Sequence, residues 1–193
     1  LRSIATNTGF DDASSRVREL IDHSKILSSK ALYKEALKLL KKAKETSRKY
    51  SNYILLLDIL IAERNIISVM PDKNVSELRD EIYREQTEVI EKLKKLFEYS
   101  WLSDQMVICV EQKGDFTVSE RAKEMEKIYN RPLIKNEKNA EDLNMMFYLL
   151  HTRLFYHLGK NELNEVRVLL KQELTLLEAN RHFIDDNPKN YSS

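Results

Sequence analysis

Apolar residues recur along this chain at intervals of three and four, the spacing that places them on one face of a helix. Between Asp11 and Ser29 they fall at Val17, Leu20, Ile21 and Leu27, with Asp and Ser ahead of them to cap a first helix. From residue 31 to about 48, Leu32, Ala36, Leu39, Leu40 and Ala43 share one face and define a second. The run from Asn52 to Met70 is apolar nearly all round, which predicts a third helix covered on several sides at the centre of the core. Pro71 to Asn74 breaks the chain. Asn74 with Glu77 resembles a capping box, and the apolar positions from Leu78 to Phe97 predict a long fourth helix, resumed after an interruption by Met106 to Val110 and closed by Gly114.

Thr117 and Glu120 form a second capping-box pattern and open a short helix that Asn130 and Pro132 close near Tyr129. Residues 131 to 139 read as loop. Asn139, with Asp142 three residues on, opens a helix through Met145 to Leu158 that Gly159 stops, and a last helix runs from about Leu163 to Ala179. The pattern predicts an all-α protein of about seven or eight helices. Its domain plan is a tail or the end of a missing element at residues 1–10, one helical-repeat domain at 11–180, and a polar tail at 181–193.

Composition sharpens this by exclusion. Three glycines and three prolines among 193 residues are too few for the turns of a many-stranded fold. They are also too few for glycine-rich phosphate loops, so no nucleotide or other cofactor is expected. The 42% hydrophobic share suffices for a core. The longest unbroken apolar run is Met145 to Leu150, about a third of a bilayer span. A single cysteine, Cys109, in an apolar setting reads as a small core residue and suits a reducing, cytoplasmic compartment.

Helices of this length joined by short connections form a bundle or a stack of pairs, and one window favours the stack. Leu20, Ser24, Leu27, Tyr33, Ala36, Leu40 and Ala43 resemble a tetratricopeptide repeat spread over two helices, with Ser24, Ala36 and Ala43 letting those helices approach closely. Ala31 and Arg48 stand where that family commonly has a glycine and a proline, and His23 replaces an apolar residue. The chain also resembles uncharacterised bacterial helical-repeat proteins in which the block Leu32-Tyr-x-x-Ala-x-x-Leu-Leu-x-x-Ala43 recurs. The resemblance implies a right-handed stack of antiparallel helix pairs, an α-α superhelix, that binds a protein or peptide on a concave side lined by the first helix of each pair.

Candidate chemistry is sparse. The four histidines, at 23, 151, 157 and 182, lack a spacing that sets two metal ligands on one helical face, so no metal site is expected. No serine, threonine or cysteine has the surroundings of a nucleophile, and the expectation is a non-enzymatic interaction module. Its expected partner-binding groups are Arg18, Asp22 and Lys25 on the first helix, Arg64 on the third, and Arg153 and His157 on the penultimate one. The net charge of +1 offers no global field for nucleic acid, but residues 30 to 50 carry eight positive and two negative side chains. Lys34, Lys38, Lys41, Lys42, Lys44, Arg48 and Lys49 occupy one arc of the second helix. A nucleic acid or other polyanion on this stripe is the alternative reading.

Overall fold

The computed structural model describes residues 9–71, 75–111 and 118–180. Among them are eight α-helices, one 3₁₀ turn and no strand: α1 (Gly9–Ser29), α2 (Tyr33–Lys49), α3 (Tyr53–Val69), α4 (Val75–Glu111), α5 (Val118–Tyr129), α6 (Pro132–Lys135), the 3₁₀ turn Glu137–Asn139, α7 (Leu143–Gly159) and α8 (Leu163–Ala179). The fold is an all-α stack of helices packed against their neighbours. The caps expected from Asn74 and Thr117, the stop at Gly114, residues 1–8, the C-terminal tail and His182 lie outside the described residues, whereas residues 9 and 10, expected in the N-terminal tail, open α1. The chain gathers into two compact units, divided between Leu93 and Lys94 within α4.

In the first unit α1, α2 and α3 pack on one another. Val17 and Ile21 of α1, Ala36, Leu40 and Ala43 of α2, and Leu55, Ile59 and Ile66 of α3 form its core. The small residues behave as their spacing predicts. Ser24, Ala36 and Ala43 are fully buried, and the Ser24 hydroxyl donates to the carbonyl of Ile21 at 2.6 Å instead of competing for space.

Three turns share one geometry. Ala31, Ser51 and Asn161 adopt left-handed φ values of 59°, 48° and 59°. The amide of the next residue in each case reaches back five positions, Leu32 to Leu27, Asn52 to Ser47 and Glu162 to His157, at 2.9–3.0 Å. This pair of features is the Schellman motif, which satisfies the last carbonyls of one helix and reverses the chain into the next. The repetition extends to helix length. Shifted by 110 positions, α2 falls on α7 and α3 falls on α8, end for end. Leu40 then matches Leu150, Ile59 matches Leu169, and buried Glu63 matches buried Glu173.

Three expectations need correction. The interruption expected before Met106 is absent, because α4 is one helix of 37 residues. Ile82 and Val89 are buried at a helical interval, as are Tyr99, Leu102 and Met106, but the two sets are out of register and imitate a break. The loop expected at 131–139 contains α6 and the 3₁₀ turn. Asn139 belongs to that turn, whereas Asp142 caps α7 by accepting from the amide of Met145 at 3.0 Å.

α7 does end at Gly159, as expected, and the left-handed residue that reverses the chain after it is Asn161. A Cβ at Gly159 would lie 2.4 Å from Cε of Met125 and 3.0 Å from a methyl of Val110, so a larger residue fits only if the end of the Met125 side chain moves. In the second unit α7 packs on α8 and on α5 and α6. Arg153 ties α7 to α6 by donating from Nη2 to the carbonyl of Ile134 at 2.7 Å and from Nε to the same oxygen at 3.0 Å. Tyr99 donates to the carbonyl of Leu133 at 3.2 Å, and burial pushes its phenol up to about 12.

Candidate functional site: a groove between α1 and α3

Helices α1 and α3 leave an open groove of about 340 Å³ in the first unit. Arg18, Asp22 and Lys25 form its α1 wall, and Asp58, Ile61 and Asn65 its α3 wall. Both sets follow from helical spacing: 18, 22 and 25 sit one turn apart, as do 58, 61 and 65. The core faces of the same helices point the other way, which leaves these side chains exposed.

The groove carries both signs of charge over an apolar floor. Lys25 donates to Asp22 at 2.8 Å, and this hydrogen bond, with the lysine's charge, holds the Asp22 carboxyl below its usual range. Both partners are mostly exposed, so the pair is weak and its members can exchange for a ligand's charges at small cost. Asn65 has an amide that both donates and accepts, the complement of a peptide unit.

The six residues singled out in the sequence divide as follows. Arg18, Asp22 and Lys25 come together on the groove. Arg64 is exposed on α3 but does not line it. Arg153 and His157 belong to the second unit and are engaged within it. Besides the carbonyl of Ile134, Arg153 holds Glu137, and its side chain is largely buried. His157 Nδ1 lies 2.6 Å from Glu162, and its ring meets Tyr129 and Tyr156 edge-on. Arg153 and His157, expected to bind a partner, instead fasten α7 within its own unit. Asp58, Ile61 and Asn65 were missed because α3 reads as apolar all round. Asp58, the lone polar residue between Tyr53 and Ala62, was the available signal.

The basic stripe on α2 is also smaller than its spacing suggests. Lys44 turns inward at 14% exposure and donates to Glu63 at 2.6 Å and Glu85 at 3.0 Å, while Arg48 also bonds Glu85. Burial raises the Glu63 carboxyl despite Lys44. Burial works the same way on Glu85, but Lys44 and Arg48 together outweigh it and hold that carboxyl low. Lys34, Lys38, Lys41, Lys42 and Lys49 remain exposed.

Cys109 is buried, and burial, with the charge of Glu124, pushes its thiol up, away from reactivity. Phe97 and Trp101 are 58% and 50% exposed, and Tyr99 between them is fully buried. Among the described residues no helix is long and apolar enough to cross a membrane. No protein-family model, curated protein or solved structure matches the chain.

Proposed function

We propose that the protein is a non-enzymatic interaction module, tetratricopeptide-like in its packing, that holds a segment of a partner protein in the groove between α1 and α3. The carrying observation is the convergence of Arg18, Asp22, Lys25, Asp58 and Asn65 around exposed Ile61 on two helices that pack side by side. An extended segment fits such a site. Arg18 and Lys25 receive acidic side chains, Asp58 a basic one, Asn65 the main chain, and Ile61 an apolar side chain. A reducing, cytoplasmic setting suits the single buried thiol.

Selection from a displayed library of random peptides tests this. Enriched peptides are expected to lose at least tenfold in affinity on Ile61→Glu and on Lys25→Glu, with helicity by circular dichroism unchanged. Peptides that bind these variants as tightly as the wild type overturn the reading. Binding that instead disappears when Lys38, Lys41 and Lys42 are reversed to Glu, and falls steeply with salt, assigns the protein to polyanions.

A further inference from the structure

The second unit contains an open apolar groove between α7 and α8, lined by Met146, Leu150, Val168, Lys171, Thr175 and Leu176. The chain itself shows what fills such a place. Under the shift of 110 positions, Met146, Leu150 and Leu176 match Ala36, Leu40 and Ile66. These are the α2 and α3 side chains on which Val17 and Ile21 of α1 pack. In the first unit the position is occupied by an amphipathic helix. In the second, α6 and the 3₁₀ turn stand ahead of α7 in its stead, reaching it at Arg153 and Glu137.

Charge defines the missing helix. Asp58 and Ile61, which share their groove with Arg18 and Lys25 of α1, are matched by Val168 and Lys171. A helix of α1's own charge would therefore set cations against Lys171. Glu137, the acidic residue on this groove, is bound by Arg153, and Lys138 beside it is exposed. With Glu137 paired, Lys171 is the charge that the groove presents to an incoming helix. We infer that the groove between α7 and α8 docks an acidic amphipathic helix of another protein, in the place that α1 takes against α2 and α3.

The probe is a fluorescein-labelled peptide of residues 9–29 carrying Arg18→Glu and Lys25→Glu, titrated by anisotropy against the full chain. Saturable binding is expected in the micromolar range. It should weaken at least tenfold on Val168→Glu and on Lys171→Glu, and at least fivefold when the peptide keeps Arg18 and Lys25. Val168 is 53% exposed and Lys171 lies on the surface, so both variants are expected to fold, and Lys171→Glu alone suffices if the other does not. Absence of saturable binding, or binding indifferent to both variants, overturns the inference. So does self-association of the wild type that Val168→Glu abolishes, which would make a second copy the occupant.

Discussion

Ala31 and Ser51 hold left-handed backbone conformations that cost an ordinary L-residue about 1–2 kcal/mol. Glycine removes that strain and gives back part of the gain through the freer unfolded chain. Ala31→Gly and Ser51→Gly are each expected to raise stability by about 0.5–1 kcal/mol, read as a higher denaturation midpoint with an unchanged slope. A lower midpoint would contradict the turn geometry. At the same scale Lys44 donates to the buried Glu63 carboxylate at 2.6 Å. Lys44→Met strands that charge and is expected to cost about 3 kcal/mol, whereas Lys44→Met with Glu63→Leu should recover most of the loss.

Acid acts on the same cluster with opposite signs. Glu85 sits below its ordinary value, so its contribution is present above that value and is lost as pH falls through its folded pKa. Glu63 is raised, so its contribution runs the other way and declines as pH rises through the acidic range. Glu85→Gln should therefore cost about 2 kcal/mol at neutral pH, with the gap to wild type closing on acidification. A gap that is constant with pH would rule out the charged pairing.

At the scale of elements, the periodicity of the apolar residues located nearly every helix, because each buries one stripe and the spacing records it. It failed where burial is not periodic in that way. The two buried faces of α4 fall out of register, which reads as a break in a continuous helix. The α6 segment is held by Arg153 and Tyr99 acting on its carbonyls, contacts from 19 and 34 residues away that leave no local trace. Gly159 is a further case, since its crowding comes from the nearness of Met125. Gly159→Ala is expected to change stability by less than about 1 kcal/mol, because the end of the Met125 side chain can swing aside. Gly159→Val, which must also displace Val110, should cost about 2–3 kcal/mol.

For the molecule as a whole, the α1 half of the groove was legible and the α3 half was not. Exposed charges at 18, 22 and 25 stand out against a clear apolar stripe, whereas Asp58, Ile61 and Asn65 sit in a helix apolar enough to hide its open face. The proposed recognition uses both walls, so neither helix alone defines it. The most direct test is an amide chemical-shift map of the isotopically labelled full chain, titrated with the tightest peptide from a displayed library. Shifts clustered at residues 18, 22, 25, 58, 61 and 65 are the predicted result. Saturable shifts confined to other helices, with those six amides unmoved, would contradict it.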